Sequence, residues 1–128
     1  MALLLDTHAL IWWVTGNTRM PENVRGAIAA VDETVLVSAA SAWEIATKHR
    51  LGKLPEAEAL MPDMAGILAG QGFSALPISI DHAERAGRLP GPHRDPFDRM
   101  LIAQALSDNL QLVSNEAAFD AYGVARLW

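Results

Sequence analysis

Asp6, Glu44, Asp98 and Glu116 are the residues of this chain whose type and placement could do chemistry together. Asp6 and Glu116 lie just beyond apolar runs that give way to polar, helix-starting stretches, Glu44 within a helix and Asp98 at a helix start. Asp6 ends Ala2-Leu3-Leu4-Leu5, Glu44 lies in the helical segment after Thr34-Val35-Leu36-Val37, Asp98 follows Asp95-Pro96-Phe97, and Glu116 follows Leu110-Gln111-Leu112-Val113. An oxygen-only cluster of carboxylates suits Mg²⁺ or Mn²⁺, hard cations that accept carboxylates and keep several waters. One or two such ions orient a water, lower its pKa and neutralise a phosphoryl oxygen. Other chemistries find less support. The chain has no cysteine, so thiolate metal sites and Cys nucleophiles are excluded. The four histidines (8, 49, 82 and 93) show no zinc-type spacing. There is no phosphate-binding glycine loop and no serine nucleophile elbow.

Each acid also has an ordinary role available. Asp6 can satisfy nearby backbone N–H groups as an Asx-turn residue. Ser41-Ala42-Trp43-Glu44 matches a capping box, and Lys48 stands four residues on for a helical ion pair. Asp95 is a helix cap ahead of Pro96. Glu116 is an acid in a helix's first turn. Asp98 is harder to explain away, because it shares a helical face with Leu101, Ile102 and Ala105. An acid heading a buried stripe needs a cation, which Arg99 or a metal ion would supply.

The elements that must position these residues alternate strand and helix. The run ending at Leu5 is too short for a helix and has no alternation, so it reads as a strand buried on both faces. Thr7 caps a helix through His8 to about Val14. Pro21 opens a second helix, with Val24, Ala27, Ile28 and Val31 at helical spacing. After the strand at 34–37, Ala39, Ala42, Trp43 and Ala46 form the stripe of a third, ending near Leu51-Gly52. Residues 56–71 carry another stripe, which Pro62 splits into two short helices or kinks. Phe73 to Ile80 is strand-like, and Asp81 with Glu84 forms a capping box for a helix to about Leu89. A helix from Asp95 through Asp108, the strand at 110–113, a short helix ending at Tyr122-Gly123 and a small strand over 124–128 complete the order. This alternation predicts an α/β fold, a three-layer α/β/α sandwich with a mostly parallel sheet. In such sheets ligands gather at the carboxyl ends of strands, where Asp6 and Glu116 emerge.

With 128 residues and 51% apolar composition, the chain suits one compact domain spanning 1–128. No basic leader precedes the first apolar run, and no segment reaches the ~20 apolar residues that a membrane span needs. A cytoplasmic protein without membrane contact is expected. The net charge of −5 argues against a general nucleic-acid coat protein. Yet Lys48, Arg50, Lys53, Arg85, Arg88, Arg94 and Arg99, seven of the ten Lys and Arg, fall in two segments flanking the acids. That distribution allows a polyanionic substrate.

Taken together, the sequence resembles the PIN-domain family, specifically the VapC-type ribonuclease toxins of toxin–antitoxin pairs. The resemblance rests on Leu5-Asp6-Thr7-His8-Ala9-Leu10, on Ser41-Ala42-Trp43-Glu44-Ile45-Ala46-Thr47-Lys48, on Asp95-Pro96-Phe97-Asp98-Arg99-Met100-Leu101-Ile102-Ala103-Gln104-Ala105, and on Leu112-Val113-Ser114-Asn115-Glu116 with Phe119 and Tyr122-Gly123-Val124. It implies a Mg²⁺- or Mn²⁺-dependent endoribonuclease acting on single-stranded RNA. Asp6, Glu44 and Asp98 would hold the metal, with Glu116 where the family more often has Asp. Thr7, Ser114 and Asp95 would orient these carboxylates, and Lys48, Arg50 and Arg99 would grip RNA phosphate. It also implies a cognate antitoxin protein as partner, and a homodimer. Trp12, Trp13 and the Met61–Met64 region are candidate apolar contact surfaces. The alternatives are a catalytically weak PIN-like module that binds RNA or an antitoxin, and a phosphotransfer enzyme with Asp6 as nucleophile. The second lacks the usual Asp two residues on, where this chain has His8.

Overall fold

The computed structural model describes residues 1–30 and 32–128. Strands β1 (Leu3–Leu5), β2 (Val35–Ser38), β3 (Ser74–Leu76), β4 (Gln111–Val113) and β5 (Ala125–Leu127) form one sheet in the order β3-β2-β1-β4-β5. Every pairing in it is parallel. The helices are α1 (Thr7–Thr15), α2 (Glu22–Ala29), α3 (Ala39–Arg50), α4 (Met64–Gly70), α5 (Ile80–Arg88) and α6 (Pro96–Asp108). Two 3₁₀ turns, Pro55–Leu60 and Ala117–Tyr122, complete the described elements.

The three leucines of β1 explain the three layers. Successive side chains of a strand point to opposite faces. Leu3 and Leu5 enter a core built from α1, α2, α4 and Ile45 of α3. Leu4 enters a second core with Leu101, Ile102 and Ala105 of α6, and with Phe119. A strand buried on both faces must be apolar throughout, and Leu4 and Leu5 have no exposed surface. Burying such a leucine contributes roughly 1.5–3 kcal/mol.

Register then fixes the edge at which the sheet stops. Leu5 stands opposite Val37 on β2 and Val113 on β4. The next residue on each strand is polar: Asp6, Ser38 and Ser114. The Asp6 N–H donates to the Val113 carbonyl at 3.1 Å. The chain leaves β1 toward β2 on one side and returns at β4 on the other. The crevice between β1 and β4 is therefore a topological switch point.

Several local expectations are corrected. Asp6, not Thr7, caps α1, its carboxylate accepting from the Ala9 N–H at 2.8 Å. Thr7 sits inside the helix, its hydroxyl directed elsewhere. The predicted stripe of α3 is on the wrong face: Ala39, Trp43 and Ala46 are exposed, while Ala40, Ser41, Glu44 and Ile45 are buried. Ser38 caps that helix through the Ala40 N–H, so Ser41 and Glu44 form no capping box. The strand expected over 73–80 pairs only at Ser74–Leu76, because Pro77 has no N–H for a ladder. The capping box of α5 is made by Ser79 and His82 rather than Asp81 and Glu84. Pro62 does separate two short helical pieces, as expected. The second helix is described to Ala29; Val31, its expected end, lies outside the described residues. Trp12 is buried against Trp128, and Trp13 donates its indole N–H to Gln71. Trp12 is thus an interior residue and offers no contact surface. The exposed tryptophan is Trp43.

Candidate active site

Asp6, Glu44, Asp98 and Glu116 line one cleft at the carboxyl edge of the sheet, with Thr7, His8, Lys48, Asp95, Asn115 and Phe119. Each arrives by a different route. Asp6 is fixed by β1 and by its capping bond. Glu44 lies on the buried face of α3, one turn beyond Ala40. Asp98 stands in the first turn of α6, whose start is set by Asp95 accepting from the N–H groups of Phe97 and Asp98 at 2.9 and 3.1 Å. Pro96 suits the first helical position. Glu116 follows β4 and is exposed, its carboxylate accepting from the Ala118 N–H at 3.4 Å.

The orienting contacts are specific. Thr7 donates its hydroxyl to Glu44 Oε1 at 2.5 Å, and Lys48 binds Glu44 Oε2 at 2.5 Å. The Lys48 ammonium is thereby held in its charged form, its pKa raised by this bond. Ser114 hydrogen-bonds Asp6 and also accepts from the Glu116 N–H at 2.9 Å. Its carbonyl is held by Arg126, which pairs through two nitrogens with Asp120.

Among the described residues, five carboxylates thus share a cleft in which Lys48 is the one Lys or Arg. Burial pushes the Asp6 carboxyl above its ordinary value, against the hydrogen bonds from Ser114 and Ala9. Burial, then the charge of Asp95, raises Asp98 to about 7, with Glu44 and Asp6 adding to the rise and His93 opposing it. Burial is the leading cause of both shifts, and at Asp98 the neighbouring carboxylates add to it.

Some expected contacts are absent. Arg99 does not reach Asp98. Its guanidinium donates to the carbonyls of Ala86, Leu89 and His93, so it braces the α5–α6 connection. In this arrangement its guanidinium is committed to backbone carbonyls rather than turned toward the carboxylates. Lys48 is engaged with Glu44, and Arg50 is exposed at the end of α3. Among the described residues, no three His, Asp or Glu side chains stand close enough to enclose an ion as they are turned. The oxygens of Glu44 face Thr7 and Lys48, and Glu116 faces Ala118. The side chain that does meet Asp98 is one sequence spacing passed over: His93, whose Nε2 lies 3.0 Å from Asp98 Oδ2.

Comparison with known proteins agrees with the fold. The PIN domain profile matches residues 3–125. Ribonuclease VapC16 of Mycobacterium tuberculosis is 44% identical over 64 residues, which is 50% of this chain and 44% of that protein. The matched region thus spans less than half the length of this curated relative. The fold is shared with VapBC2 from Rickettsia felis, crystallised with a DNA fragment from its promoter (TM-score 0.73, 15% identity, 100% of this chain and 99% of that one). It is shared too with a toxin–antitoxin complex from Klebsiella pneumoniae (TM-score 0.67, 19% identity, 99% and 97%). No described helix is long and apolar enough to cross a membrane. With the profile running from β1 to the start of β5, the chain belongs to the PIN domain family.

Proposed function

We propose that this chain is a metal-dependent endoribonuclease that cleaves single-stranded RNA, the toxin of a toxin–antitoxin pair, and that residues 1–128 act as one nuclease domain. The observation that carries this reading is the crowding of Asp6, Glu44, Asp95, Asp98 and Glu116 around a single lysine. The donors are all oxygen, which fits Mg²⁺ or Mn²⁺. Asp6, Glu44, Asp98 and Glu116 would hold the ion. When bound, such an ion supplies Lewis acidity at a phosphodiester and lowers the pKa of an attacking water.

The chain's own residues prepare the site. Thr7 holds Glu44, Ser114 holds Asp6 and the turn to Glu116, and Asp95 sets the start of α6 under Asp98. Lys48 balances Glu44 until a cation or a phosphate competes for one of the two. The relatives named as a ribonuclease and as toxin–antitoxin complexes support RNA as substrate and a cognate antitoxin as partner. A homodimer is part of the same proposal.

The test is cleavage of mixed single-stranded RNA by antitoxin-free protein with Mg²⁺, with Mn²⁺ and with EDTA. Asp6→Asn is run beside the wild type. Cleavage should require metal and fall on the order of 10³-fold in the variant, with the fold intact. A fully active Asp6→Asn defeats the site assignment. Metal binding without cleavage by the wild type favours the binding module instead, consistent with Glu116 being turned to Ala118.

A further inference from the structure

The segment joining α5 to α6 carries His93 to the edge of the carboxylate cleft, and both polar groups of its backbone are held. The His93 N–H donates to the Tyr122 hydroxyl at 2.9 Å. Its carbonyl accepts from Arg99 Nη1 at 3.0 Å. Arg99 also ties this segment to α5 through the carbonyls of Ala86 and Leu89. Gly91 lies so close beneath Tyr122 that a Cβ there would stand 2.7 Å from the phenol oxygen, and its φ of +104° favours glycine as well. The imidazole packs near Phe119 and Tyr122, with ring centroids 5.8 and 6.4 Å away. Its Nε2 meets Asp98 Oδ2, and among the described residues no donor reaches Asp98 Oδ1.

Stabilising α6 does not explain this arrangement. Asp95 already caps the helix, and a basic group gains nothing from the positive end of the dipole. What the imidazole does accomplish is to fix which carboxylate oxygen of Asp98 is engaged by protein. We propose that His93 is a positioning residue for Asp98, held in place by a clamp of Tyr122 and Arg99, so that Oδ1 is the oxygen offered to an ion. This rests on the reading of Asp98 as a metal-binding carboxylate. Carboxylates that bind metals are commonly oriented by such a second hydrogen bond, and losing it weakens binding about 10- to 100-fold.

The experiment measures Mn²⁺ affinity of the full chain from the free-ion electron paramagnetic resonance signal, alongside thermal melts and RNA cleavage. The variants are His93→Leu, His93→Gln, Tyr122→Phe and Asp98→Asn. His93→Leu should weaken Mn²⁺ binding about 10- to 100-fold. His93→Gln, whose amide nitrogen can take the Nε2 position, should recover most of that loss, which a merely structural role would not predict. Tyr122→Phe keeps the ring and removes one bond of the clamp, and should weaken binding by about 3-fold; it also serves if His93→Leu fails to fold. At saturating Mn²⁺, His93→Leu should lower kcat and leave the KM for RNA unchanged. Wild-type affinity in His93→Leu, or no recovery in His93→Gln, overturns the proposal while Asp98→Asn still loses Mn²⁺. An unchanged Tyr122→Phe removes Tyr122 from the clamp. If Asp98→Asn binds Mn²⁺ as the wild type does, the metal reading of the site fails first.

Discussion

Two polar clusters lie along α6, and they are balanced in opposite ways. Toward its middle and end, Ser38 donates to Gln104 Oε1 at 2.6 Å, and Gln104 Nε2 donates to the Pro77 carbonyl at 3.2 Å. His82 Nδ1 accepts from the Ser79 N–H, which leaves its Nε2 proton for Asp108 at 3.1 Å. Donors and acceptors match, and the cluster is mostly neutral. At the start of α6 the opposite holds, with Asp98 among carboxylates that outnumber their cations. The first cluster spends its polar groups on one another and joins β2, α5 and α6. The second keeps them in reserve, at a cost in stability. A satisfied cluster is architecture; an unsatisfied one at a sheet's carboxyl edge is poised for a ligand.

That contrast can be broken most forcefully in the satisfied cluster. Gln104→Leu keeps the volume but strands the Ser38 hydroxyl and the Pro77 carbonyl, and should cost about 2–4 kcal/mol in chemical denaturation. Cleavage per folded molecule should change little. A stability loss near zero would mean that the two clusters do not differ as described.

A smaller effect with the opposite sign belongs to Asp98. Its folded-state pKa of about 7 lies above the ordinary carboxylate value, so folding takes up a proton at intermediate pH. Its contribution is most favourable at low pH and is lost as pH rises toward and through 7. In chelator, Asp98→Asn should therefore be more stable than wild type at pH 8, by on the order of 2 kcal/mol. The gap should close toward pH 4. Equal melts at both pH values would show that the crowded carboxylates carry no strain.

The mildest perturbation sharpens the comparison. Thr7→Val removes the hydroxyl on Glu44 and keeps the shape. It should weaken Mn²⁺ binding about 10-fold by calorimetry and shift stability by less than about 1 kcal/mol. A large stability loss with unchanged metal affinity would move Thr7 into the architectural class.

Much of this was legible in the sequence because it is local. The apolar run ending at Asp6 gave the central strand, and Asp95-Pro96 gave the start of α6. Asp6 and Glu116 were visible just past strand ends, Glu44 within a helix and Asp98 at a helix start. What escaped was set by distant partners. The face of α3 was misread because Ala39, Ala42, Trp43 and Ala46 carry the apolar pattern, whereas burial follows Ser41 and Glu44 into the site. Apolar periodicity cannot register a polar residue buried for its chemistry. Arg99 was assigned to its sequence neighbour Asp98, but carbonyls on the preceding connection claim it. His93 lacks zinc spacing, and its role depends on Tyr122, far along the chain. The Ser38–Gln104 pair has no sequence signature at all.

The exposed indole of Trp43 has a practical consequence. It stands edge-on to Phe97, with ring centroids 5.1 Å apart, and directly precedes Glu44. Trp12 and Trp128 pack together, and Trp13 lies against Phe73. The protein's intrinsic fluorescence is therefore of two kinds. The three indoles that pack against other rings should report unfolding, while exposed Trp43 should emit at the red edge. Excitation there gives the molecule an unlabelled optical gauge of what happens beside its carboxylates.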